Sequence, residues 1–143
     1  MKAKATWQKK MSFIGESGTG FSLPLDNSVE HGGDNSGFRP IELLLVGLAG
    51  CTGMDVISIL EKKRQKVTRF EVHVNGERSA EHPKVFTDIQ IEYEVAGVDI
   101  DPAAVARAVE LSETKYCAVS AMLAKAAKIE YSINIIQEEN VTN

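Results

Sequence analysis

The sequence lacks an excess of positive charge. Sixteen basic residues stand against twenty acidic ones, a formal net charge of -4. Nothing electrostatic therefore recommends nucleic acid or an anionic membrane as a partner. It also lacks a long hydrophobic run. The longest, Leu43 to Met54 between Glu42 and Asp55, is shorter than the ~20 residues needed to cross a bilayer and reads as a buried helix. The first residues, Met1-Lys2-Ala3-Lys4-Ala5-Thr6-Trp7, are charged and lead into no signal-like apolar core, which predicts a cytoplasmic protein. There is no phosphate loop, dinucleotide fingerprint or zinc-protease motif, no repeat and no low-complexity tract. Cysteine is scarce: Cys51 and Cys117 are the only two. With no Cys-x-x-Cys and no paired histidine at ligand spacing, the pattern supplies no structural zinc site, and no metal or cofactor is expected. His31, His73 and His82 read as ordinary surface residues.

What remains is the composition of one globular domain over residues 1–143, with 43% hydrophobic and 25% charged residues. Residues 2–8 alternate apolar and polar, as in a strand with one buried face. Met11 to Ile14 and Phe21 to Leu25 give two more short strands, separated by turn residues Glu16 to Gly20. Asp26 to Phe38, rich in Asn, Gly and Ser, is a long loop, either a connector or a shaper of a binding site. Pro40 suits a first helical position, and Ile41 to about Arg64 reads as a helix apolar nearly all round. Gly47, Gly50 and Gly53 interrupt it, each costing ~1 kcal/mol against alanine. Close approach of another helix or backbone is the usual gain.

Phe70, Val72 and Val74, then Ile89, Ile91, Tyr93 and Val95, alternate with polar residues as two strands of an antiparallel pair. Asp101-Pro102 starts a helix running to about Leu111. Ser112 or Thr114 caps another, expected over Tyr116 to Lys128, and Ile129 to Ile135 forms a last strand. The fold class is α+β, in the order β-β-β-α-β-β-α-α-β, with an antiparallel sheet packed on a long buried central helix.

Any chemistry falls to the cysteines. Taken singly, each is a small buried hydrophobe or a reactive thiol, and spacing alone leaves both readings open. Cys117 lies in an expected first helical turn beside Lys115, where dipole and cation can both lower a thiol pKa. Cys51 lies among the helix glycines.

The run Pro40-Ile41-Glu42-Leu43-Leu44-Leu45-Val46-Gly47-Leu48-Ala49-Gly50-Cys51 resembles the central-helix signature of the OsmC/Ohr superfamily. Lys115-Tyr116-Cys117-Ala118-Val119-Ser120 resembles that family's second-cysteine motif. The resemblance spans about residues 1–136 and is closer to the OsmC-like branch. It implies an intertwined homodimer with sites at the subunit interface, and thiol-based reduction of organic hydroperoxides in defence against oxidative stress. Cys51 would attack the peroxide and become a sulfenic acid, Cys117 would resolve it to a disulfide, and an external dithiol would restore both. The alternative is a non-peroxidase dimer that binds a small apolar or thiol ligand, with the cysteines as binding or redox-sensing groups. In the hydroperoxide reductases a Glu ten residues before the first cysteine orients an activating Arg from the N-terminal sheet region. Here Ile41 stands at that place, Glu42 is one residue on, and residues 1–38 hold no arginine. The resemblance therefore leaves Arg39, oriented by Glu42, as the expected cation, with Lys9 and Lys10 as substitutes.

Overall fold

The computed structural model describes residues 1–140, which form two compact units that part between Leu44 and Leu45. In the first, β1 (Ala3–Lys9), β2 (Ser12–Ser17) and β3 (Ser22–Leu25) make an antiparallel sheet in sequence order. Lys10, at φ 46°, makes the tight β1–β2 turn, and the Trp7 indole donates to its carbonyl at 2.9 Å. The loop that follows is built around one buried carboxylate. Asp26 accepts from the backbone of Asn27 (2.8 Å), Asp34 (3.0 Å) and Ser36 (3.1 Å) and from the Ser36 hydroxyl (2.7 Å). Those donors hold its carboxyl well below the usual range. A Cβ at Gly33 would stand 2.0 Å from the Asn27 carbonyl oxygen, so the close approach requires glycine.

The second unit holds the long helix α1 (Glu42–Lys62, continuing from the last residues of the first), β4 (Lys66–Arg78), β5 (Phe86–Val98), α2 (Pro102–Leu111), α3 (Ala118–Leu123) and β6 (Lys128–Gln137). β4 and β5 pair antiparallel, with Val74 opposite Ile91. β6 joins the other edge of β5 in parallel, with Tyr131 opposite Ile91. The expected all-antiparallel sheet is therefore corrected to a mixed one. The two helices between β5 and β6 carry the chain back to its starting end, and such a crossover lays the next strand parallel.

β5 is the central strand, and Ile89, Ile91, Tyr93 and Val95 on its inner face are all buried. Over them lies one stripe of α1, Leu48, Thr52, Val56 and Leu60, at a strict four-residue spacing and fully buried. The expectation of a helix buried all round is corrected here. Val46 and Met54 are 55% and 73% exposed, so α1 has an open side among the described residues. By length and composition α1 could cross a membrane; its inner stripe is buried, and Thr52 in that stripe is hydrogen-bonded to Tyr93 of β5.

Asp101 caps α2, accepting from the Ala103 N–H at 2.9 Å, with Pro102 first in the helix. α2 runs into a π-helical turn over Ser112–Tyr116. The helix expected over Tyr116 to Lys128 is shorter than its composition suggests. Cys117 is extended (φ -73°, ψ 103°), only Ala118–Leu123 is α-helical, and Lys128 opens β6.

Candidate functional site

Cys51 points from α1, one residue before the buried stripe position Thr52, and is half-buried. Asp55 follows four residues later, one turn along the same face. The π-helical turn after α2 then delivers Cys117 to this point from sixty-six residues downstream. One sulfur from each cysteine and one carboxylate oxygen of Asp55 all lie within 4.8 Å of one another. Both cysteines are free thiols. Residues that the sequence separates widely thus meet in one cluster.

Cys117 is the N-cap of α3 rather than a residue of its first turn, and its sulfur accepts the Ser120 N–H at 3.4 Å. That contact favours the thiolate, but it is outweighed. Burial pushes the thiol up to about 12, and the neighbouring Cys51 sulfur adds to the rise. The expectation that dipole and cation would activate Cys117 is therefore corrected: at 3% exposure, loss of hydration wins over a six-residue helix. The Lys115 ammonium lies over the Tyr116 ring, 5.3 Å from its centroid.

Behind the sulfurs runs a chain of buried hydroxyls between two carboxylates. Ser112 Oγ donates to Asp55 at 3.1 Å. The Thr52 hydroxyl lies 2.8 Å from Ser112 Oγ, 2.6 Å from the Tyr93 hydroxyl and 3.2 Å from Glu113 Oε1. Tyr93 donates to Glu113 at 2.6 Å, and Ser120 Oγ donates to the other Glu113 oxygen at 2.8 Å. Burial and the Glu113 carboxylate push the Tyr93 hydroxyl far above its ordinary value, which keeps it a donor. Every buried side-chain polar atom among the described residues has a partner. The network locks α1, β5 and the α2–α3 connection together behind the sulfurs.

None of these supporting residues followed from the resemblance. Asp55 had a signal, being the only carboxylate between Glu42 and Glu61, four residues from Cys51. Tyr93 had another, as an inward-facing tyrosine whose hydroxyl needs a partner. Ser120 lies within the second-cysteine motif without a role of its own, and Thr52, Ser112 and Glu113 had no signal, since the π-helical turn that carries Ser112 and Glu113 is not written in a pattern.

Arg39 and Glu42 lie at the end of the first unit. Glu42, the first residue of α1, accepts the backbone N–H of Arg39 at 3.0 Å. The Arg39 guanidinium donates instead to the Gly37 carbonyl at 3.0 Å and to the Asn35 side-chain oxygen. Glu42 thus orients the Arg39 backbone and not its cation.

The fold agrees with what comparison with known proteins finds. The family described as OsmC-like protein matches residues 33–132. The chain is 41% identical to Protein YhfA of Escherichia coli K12 over 139 residues, covering 95% of this chain and 98% of that one. A hypothetical protein from Aquifex aeolicus VF5 superposes with a TM-score of 0.84 at 31% identity, over 96% of this chain and 97% of that one. An organic hydroperoxide resistance protein OsmC from Legionella pneumophila superposes with a TM-score of 0.70 at 17% identity, over 93% and 95% of the two chains. The chain belongs to the OsmC-like family.

Proposed function

We propose that the protein is a cytoplasmic, homodimeric thiol peroxidase that reduces organic hydroperoxides, with Cys51 as the attacking thiol and Cys117 as the resolving one. The observation that carries this reading is the pair itself: two free sulfurs within 4.8 Å, one half-exposed and one buried. A hydroperoxide can reach Cys51. Cys117, held protonated by its burial, is a poor first nucleophile and is already within reach of its partner.

In the first step the Cys51 thiolate attacks the terminal peroxide oxygen. An S–O bond forms as the O–O bond breaks, and the alkoxide leaves as the alcohol after taking a proton. In the second step Cys117 attacks the sulfenic sulfur. An S–S bond forms, the S–O bond breaks, and the hydroxyl departs as water with the proton from Cys117. Asp55, within 4.8 Å of both sulfurs, is placed to pass that proton. An external dithiol reduces the disulfide by exchange.

The dimer is supported by the open side of α1. Ala49, Gly50, Gly53 and Met54 form, with Phe70 and Val72, an apolar groove of about 430 Å³. A Cβ at Gly47 or Gly50 would touch nothing among the described residues, so the cost of these glycines in the helix has no return there.

Serine variants test the roles. Cys51→Ser should abolish hydroperoxide consumption, whereas Cys117→Ser should allow one oxidation and leave a trappable sulfenic acid. Exchange of these behaviours would reverse the assignment. If the wild type consumes no hydroperoxide with excess dithiol, the ligand-binding dimer becomes the better reading.

A further inference from the structure

Asp55 stands with the two thiols in one three-residue cluster. We propose that Cys51, Asp55 and Cys117 in the reduced protein form a binding site for a soft divalent cation of the zinc class. Tetrahedral zinc holds thiolate sulfur at ~2.3 Å and carboxylate oxygen at ~2.1 Å, so neighbouring ligands of one ion stand about 3.5–3.8 Å apart. The three ligand atoms here are all within 4.8 Å of one another, and contraction by about an ångström would close them round an ion. Two sulfurs and one oxygen select a borderline-soft ion over magnesium or calcium, which require oxygen ligands. The fourth position is left for water.

The ligands are held from outside, which a chance meeting of side chains would not provide. Ser112 Oγ donates to Asp55 Oδ2 at 3.1 Å, and the Ser120 N–H donates to the Cys117 sulfur at 3.4 Å. Such contacts orient ligands and are part of what sets affinity. Both donors are themselves buried, at 0% and 3% exposure. Cys51, half-exposed, is the side from which an ion enters. Binding transfers no electrons. Each thiol releases its proton to solvent as its sulfur–metal bond forms, and two thiolates, one carboxylate and a divalent ion leave a net charge of -1.

The site needs only these three side chains, so it stands or falls apart from the peroxidase reading. Occupation masks both thiols, so metal binding and hydroperoxide reduction exclude each other.

The test titrates Zn²⁺ into fully reduced protein against a chromogenic chelator, and Co²⁺ in parallel to read the thiolate-to-metal absorption band. One ion per chain and a charge-transfer band are expected. Asp55→Asn, close in shape, should weaken Zn²⁺ binding at least ~10-fold, and Cys51→Ala should remove the band. Oxidation to the disulfide with diamide should release the ion. Absence of one-to-one binding in the reduced wild type overturns the proposal. So does unchanged affinity in Asp55→Asn, because the thiols alone would then be holding the ion. Should Asp55→Asn lose the native circular dichroism, Cys51→Ala decides: retention of affinity there overturns the site equally.

Discussion

Thr52 and Tyr93 meet hydroxyl to hydroxyl at 2.6 Å beneath the turn of α1 that carries Cys51. Tyr93 donates to Glu113 and Ser112 donates to Asp55, so the single Thr52 proton serves one of the three oxygens around it. Removing the Tyr93 hydroxyl takes a donor from the Glu113 carboxylate in the interior and leaves a gap beside Thr52. Tyr93→Phe should therefore cost about 1–3 kcal/mol in chemical denaturation, although the ring remains. A cost below ~0.5 kcal/mol would mean that water replaces the hydroxyl and that the network is not tight.

The thiols should differ sharply in reactivity. With its value pushed up to about 12, Cys117 is ionised in roughly one molecule in ten thousand at pH 8. Alkylation of native protein should label Cys51 first and Cys117 only on unfolding, as read by peptide mass. Stability should follow pH in the corresponding direction. Folded Cys117 stays protonated, while the unfolded thiol ionises above ~8.5, so the unfolded state binds fewer protons and stability falls as pH rises through that window. The slope from this group is about 1.4 kcal/mol per pH unit. Cys117→Ser should lack that part of the decline, and parallel curves for the two proteins would place the thiol in a more hydrated setting.

Gly50 separates a free helix face from a covered one. In the chain by itself an added Cβ there meets nothing, and Gly50→Ala should stabilise α1 by ~1 kcal/mol. Against a closely packed second copy the same methyl group should weaken association instead. Sedimentation of the wild type is expected to show a dimer at micromolar concentration, with Gly50→Ala shifted toward monomer. A monomeric, more stable Gly50→Ala beside a monomeric wild type would remove the dimer.

Much of this was legible in the sequence for definite physical reasons. Period-two alternation located β4 and β5, and Asp101-Pro102 located the start of α2, because pleat and cap are local. The parallel placement of β6 was not legible, since its alternation is the same in either direction. The length of α3 was overestimated because Ala124 to Ala127 have helical composition and turn only under tertiary constraint. At the site, the two cysteines stood out by their scarcity. Asp55 was marked only by its isolation in an apolar helix four residues from Cys51, and Glu113 not at all, because a carboxylate on a helix ordinarily faces water.

Arg39 is the cation that the family resemblance leaves for activating Cys51. Its guanidinium is occupied by Gly37 and Asn35, so its first effect is to hold the loop before α1. If it also serves the thiolate, Arg39→Met should slow hydroperoxide turnover at least ~10-fold while the dimer and circular dichroism are retained. Unchanged turnover would leave Arg39 as a loop-holding residue.

The most direct measurement is the fate of both thiols after one equivalent of an organic hydroperoxide per chain. Thiol counting should show two lost, and digestion without reductant should yield a peptide pair joined through Cys51 and Cys117, whose sulfurs start within 4.8 Å. One molecule of alcohol should form per disulfide. Retention of both thiols, or loss of one with no joined peptide, would contradict a two-cysteine peroxidase.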